Sequence, residues 1–138
     1  MAGECFEALL SAVEDALGHV EEAREAVGKH RGKGGGLARI LRRAAQALAS
    51  ALEPCIGGCM LSAGPVDAAR CSLGAVAEEL QRSLHGVAVR LERLPRLSGG
   101  TEEELAMGLL DSVAAALRGL REAAETAARL LEGLEGNQ

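Results

Sequence analysis

Four cysteines, three histidines and one glycine-rich basic stretch are where this 138-residue chain gathers side chains with evident chemistry. Cys55 and Cys59 stand four apart, with Cys71 downstream and Cys5 near the start. Three or four thiolates are enough for zinc, but structural zinc sites show paired, short-spaced ligands. Here there is one pair, loosely spaced. The opening Met1-Ala2-Gly3-Glu4 is acidic where a secretory leader is basic. The expectation is therefore reduced thiols in a cytoplasmic protein, redox-sensitive at most, with no metal and no cofactor. His19 and His85 have no cysteine or aspartate at a supporting spacing. The stretch from Lys29 to Gly36, KHRGKGGG, lacks the spacing and the preceding strand of a phosphate-binding loop. No inward Glu-x-x-His pair of the di-iron type occurs. No catalytic residue is expected, and no enzyme.

The elements that must position these groups are helices. Ala, Leu, Glu and Arg dominate, and all are strong helix formers. The single Phe and the absence of Tyr and Trp leave Leu, Val and Ala to make the core. A chain of this length buries roughly 70% of its unfolded surface, so it folds without a metal or a disulfide. Apolar residues at spacings of three and four mark four segments. The first covers about 3–28, with Phe6, Leu9, Leu10, Val13, Leu17 and Val20 on one face. A loop follows through Gly36. The second covers 37–53, with Pro54 disfavouring its continuation. Residues 55–64 read as another loop, with room for a helical turn. The third, 65–94, starts on Pro65, a favoured first-turn residue, and carries Val66, Ala69, Leu73, Val76, Leu80 and Leu84. The fourth, 101–135, opens on a capping-box pattern, Thr101-x-x-Glu104, with Leu105, Leu109, Val113, Leu117, Leu120, Ala124, Ala127, Leu131 and Leu134 in its stripe. The expected fold is an all-α, antiparallel four-helix bundle forming one domain over 1–138. It reads equally well as the front domain of a longer protein.

Charge is unevenly distributed. Residues 1–28 carry seven acids and one base, and residues 29–54 carry six bases and one acid. Opposed charge favours a hairpin of the first two helices, with burial of the stripes as the driving term. A basic surface is expected at one end of the bundle: Lys29, Arg31, Lys33, Arg39, Arg42 and Arg43, joined by Arg90, Arg93 and Arg96. It either faces anionic lipid, at about 1 kcal/mol per residue near the surface, or neutralises the acidic first helix. Nucleic acid is not expected as a partner, because the chain is net acidic and has no aromatics for base stacking. No apolar run approaches the ~20 residues that span a bilayer.

Two resemblances bear on function. His30-Arg31-Gly32-Lys33-Gly34 matches the H-x-x-K-G pattern of histidine phosphotransfer domains, which are also four-helix bundles. There the histidine lies within a helix, whereas here it lies in a glycine-rich loop. LARILRRAAQALASALEPCI, Leu37 to Ile56, and LGAVAEELQRSLHGVAVRLERL, Leu73 to Leu94, together resemble the N-terminal four-helix domains of mixed-lineage kinase-like pseudokinases. Fungal HeLo domains and the coiled-coil domains of plant immune receptors of the powdery-mildew-resistance type share that pattern. This resemblance implies a cell-death or immune signalling bundle that oligomerises and acts at the plasma membrane through its amphipathic first helix. Its insertion face would be Phe6, Leu9, Leu10, Val13 and Leu17. The alternatives are a protein-interaction bundle without membrane activity, and a phosphotransfer bundle. Self-association and partner helices fit the first two, and anionic lipid the first alone.

Overall fold

A computed structural model describes residues 2–29, 34–59, 64–94 and 100–136. Among these residues all regular structure is helical: α1 (Ala2–Gly28), α2 (Gly34–Ala49), α3 (Leu52–Ile56), α4 (Pro65–Glu92) and α5 (Thr101–Gly136). The four helices expected from the sequence are therefore corrected to five. The second segment divides. The Ser50 hydroxyl donates to the Ala47 carbonyl at 2.6 Å and the backbone turns at Ser50 and Ala51. Pro54 does not end a helix. It sits in the first turn of α3, where its missing N–H leaves no bond unmade. The break swings α3 against α4 and α1.

The glycine-rich loop also ends earlier than the sequence implies, because α2 already begins at Gly34. A side chain there would collide with the Leu91 and Leu94 carbonyls at the end of α4, so only glycine permits this approach. Pro65 opens α4 as its first-turn preference implies, after Gly64 at φ 88°. Before α5 the residue ahead of the first turn is Gly100, at φ 80°, and its carbonyl accepts from the Glu104 N–H at 3.1 Å.

The long helices meet around a core of Leu, Val and Ala in the cyclic order α1, α2, α4, α5. Phe6, Leu9, Val13, Leu41, Leu48, Leu84, Leu91, Leu110 and Leu117 are fully or almost fully buried. The α2–α4 and α1–α5 sides are the most extensive, and the α4–α5 side is the slightest of the four. Ion pairs stitch the outer surface. Arg42 pairs with Glu92 between α2 and α4, Arg121 with Glu14 at 3.0 Å between α5 and α1, and Arg24 with Asp111 between the same two helices. Arg24 Nε comes within 2.9 Å of Asp111 Oδ1, although not aligned as a hydrogen bond.

Candidate interaction surface

The cysteines overturn the expectation of free thiols. Cys5 is bonded to Cys55, and Cys59 to Cys71, with Cα–Cα distances of 4.7 and 5.8 Å. The antiparallel course of α1 and α2 returns the chain to its starting end, so α3 lands beside the first turn of α1. Spacing along the sequence carries no record of that return. The loops closed by these bonds imply about 4 and about 3 kcal/mol of stabilisation on a chain-entropy basis.

Between the two bonds lies a residue the sequence reading passed over. Arg70 is only 4% exposed. Its Nη1 donates to the carbonyls of Cys55 at 2.9 Å and Gly57 at 2.8 Å, and its Nε to Asp67 Oδ1 at 3.0 Å. The guanidinium thus caps the carbonyl end of α3, where its positive charge complements the partial negative charge of the carbonyls. The signal for it was an arginine at a core-facing position of an otherwise apolar stripe.

The other chemical groups do not assemble. His19 approaches Glu22 at 3.8 Å on its own helix, in a crevice it shares with Glu14, Asp15 and Arg43, and His85 is exposed. His30 and Lys33 lie outside the described residues. Among the described residues, no group of three His, Cys, Asp or Glu side chains is placed to hold a metal ion.

Of the expected insertion face, Phe6, Leu9 and Val13 are core residues, while Leu10 and Leu17 are half-buried against that core. No helix among the described residues is long and apolar enough to cross a membrane. Of the expected basic surface, Lys29, Arg39, Arg43, Arg90 and Arg93 are exposed. Arg31, Lys33 and Arg96 lie outside the described residues. Arg42 is engaged by Glu92, a hydrogen bond that holds the Glu92 carboxyl below the usual carboxylate range and raises the guanidinium above its own. Arg43 lines a crevice with Glu14, Asp15 and Glu22 of α1. Arg42 is thus paired within the bundle, and Arg43 lies beside acidic residues of α1.

The surface with the most unsatisfied character lies elsewhere. On α5 the core positions are Ala106, Leu110, Val113, Ala114, Leu117, Leu120 and Ala124. On α4 they include Gly74, Ala77, Leu80, Leu84, Ala88 and Leu91. Ala77 and Ala106 hold core places beside Val76 and Leu105, which the expected stripes turned inward. Val76, Leu105, Leu130 and Leu134 are 48%, 52%, 66% and 54% exposed. Where the start of α4 passes the end of α5, the slight packing between them leaves a groove of about 650 Å³. Phe6, the sole aromatic residue, lines it. Val66, Ala69 and Leu73 form one wall, and Ala123, Leu130 and Leu134 the other. Among the described residues, Glu122 is the one charged residue in the lining.

No protein-family model, curated protein or solved structure matches this chain, so the functional reading rests on its geometry.

Proposed function

We propose that this chain is a non-catalytic protein-interaction bundle that receives an amphipathic helix along its α4–α5 face. The observation that carries the reading is the groove lined by Phe6, Leu73, Leu130 and Leu134, open to solvent and almost free of charge. Two antiparallel helices with a trough between them suit a third helix, which docks through apolar anchors one turn apart. Burying an exposed leucine contributes roughly 1.5–3 kcal/mol, so Leu130 and Leu134 alone supply a useful part of a docking energy. The two disulfides support a working place in an oxidising compartment.

Membrane action through α1 asks for more. Phe6, Leu9 and Val13 would have to leave the core, and the Cys5–Cys55 bond holds the first turn of α1 to α3. The docking face needs no such rearrangement.

Methyl NMR tests the reading with two probes. One is a synthetic amphipathic peptide with leucines at helical spacing, and the other is vesicles of phosphatidylcholine and phosphatidylserine. The peptide is expected to shift the Leu73, Leu130 and Leu134 methyls saturably, and Leu130→Glu to weaken it at least tenfold, about 1.4 kcal/mol. Groove methyls that ignore the peptide, or Leu9 and Val13 methyls that respond to vesicles, would overturn it.

A further inference from the structure

The open face of α5 is uncharged over nearly its whole length. At about 100° per residue, positions 105, 108, 112, 115, 119, 123, 126, 130 and 133 share one side of the helix, and each is exposed. Leucine stands at two of them and glycine at three. Among the described residues, a Cβ added at Gly108, Gly119 or Gly133 would meet nothing within 4 Å. Glycine weakens a helix interior, and packing within the single chain gives no reason for these three. Gly34 and Gly74 do have such a reason, in the α4 carbonyls and in Ile56 and Cys55. Gly18 and Gly86 are equally open, so openness alone does not carry the argument. The order of residues does.

Read outward from Gly119, the face has a mirrored sequence of sizes. Four residues away on either side stand Ala115 and Ala123, and seven away Ser112 and Thr126. Eleven away, Gly108 answers Leu130, and fourteen away Leu105 answers Gly133. Large meets absent, and small meets small. This is the pattern of a helix that packs antiparallel on itself. The charged edge beside the face obeys the same centre to within a residue. Arg118 mirrors Glu122, and Asp111 mirrors Arg129, so antiparallel pairing sets each acid against a base. Parallel pairing would set Arg118 on Arg118. All four side chains are exposed. Asp111 already holds Arg24 of its own chain, which leaves Arg118 and Glu122 as the cleaner pair.

We infer that the helix received on the α4–α5 face is α5 of a second copy of this chain, packed antiparallel about a two-fold axis at Gly119. The inference rests on the docking reading above and names its occupant. A two-fold contact uses the same patch on both subunits, so every complementary pair occurs twice. The α5 face, about 45 Å long and about 10 Å wide, offers on the order of 450 Å² per copy. A standard interface takes about 800 Å² per partner. The groove wall of α4, with half-exposed Val76 one turn beyond Leu73, supplies the remainder.

Analytical ultracentrifugation of the intact, oxidised chain across the micromolar range tests this. Dimer is expected for the native sequence. Arg118→Glu sets acid against Glu122 of the second copy and should weaken it at least about tenfold, while Arg118→Glu with Glu122→Arg restores it. All four native cysteines are paired, so Gly119→Cys introduces a lone thiol, which a short bismaleimide should join across the axis. The same thiol at Ser11, exposed on α1, should stay unjoined. A chain that remains monomeric yet binds the synthetic peptide in its groove overturns the two-fold pairing and leaves the docking reading standing. A chain that does neither overturns both. Equal weakening by the single and double charge variants also overturns the pairing.

Discussion

The α2–α4 and α4–α5 sides share a helix and differ in how their glycines are used. On the α2–α4 side, Gly34 admits the carbonyl end of α4 and Gly74 admits α3, and the helices close. On the α4–α5 side, Gly108, Gly119 and Gly133 face open space, and the helices part into a groove. The same residue type thus marks a finished contact on one side and an unfinished one on the other. What separates them is the neighbour a Cβ would meet, which composition does not reveal.

That contrast can be broken at several strengths. Replacing Cys5 and Cys55 together by serine should cost the most, about 4 kcal/mol by loop entropy, read as a lower midpoint in denaturant with groove binding reduced through loss of fold. Arg70→Ala should follow at about 1–3 kcal/mol, since it strands the buried carbonyl of Cys55 and removes the bond to that of Gly57. Arg70→Lys should recover only part, because its compact ammonium cannot reach the carbonyls and Asp67 at once as the forked guanidinium does. At Gly34 and Gly119 alanine should act with opposite signs. Gly34→Ala should destabilise by about 1–3 kcal/mol through overpacking. Gly119→Ala, measured on dilute protein, should stabilise by up to about 1 kcal/mol through helix propensity. Equal effects at both positions would erase the distinction between the two sides. The smallest effect concerns Glu92. Its carboxyl pKa is lowered in the fold by the Arg42 hydrogen bond. The stabilisation is therefore present above the ordinary carboxylate pKa and is lost as pH falls through the lowered value. Glu92→Gln should flatten that acid limb slightly without moving the groove, as an acid titration followed by circular dichroism would record.

The helices were legible because their signals are local. Pro65 and Thr101 begin α4 and α5, although Gly100 and not Thr101 takes the cap position of α5, and the α1 stripe through Phe6, Leu9 and Val13 is the face that is buried. Three things were not legible. The division at Ser50 turns on a hydroxyl-to-carbonyl bond and on Pro54 serving a first turn, and the same residues also suit a helix end. The disulfides depend on which chain ends the topology reunites. The core registers of α4 and α5 were legible only in part: Leu80, Leu84, Val113, Leu117, Leu120 and Ala124 of the expected stripes are buried, but Ala77 and Ala106 lie inward where Val76 and Leu105 were expected. Periodicity finds an apolar face readily. In an alanine-rich helix it does not say which of two adjacent faces turns inward, and the groove is the result of that choice.

The covalent map of the molecule gives its helices unequal standing. Cys5–Cys55 ties α1 to α3, and Cys59–Cys71 ties the segment after α3 to α4. A protease that severed the chain between 29 and 34, and again between 59 and 64, would still leave every helix in one particle until a reductant arrived. A single cut between 94 and 100 leaves α5 tethered by nothing but its side chains. No disulfide holds α2 either, but it is bounded on both sides by chain that the bonds retain. The helix with the open face, α5, is the one that a single cut could hand from one molecule to another.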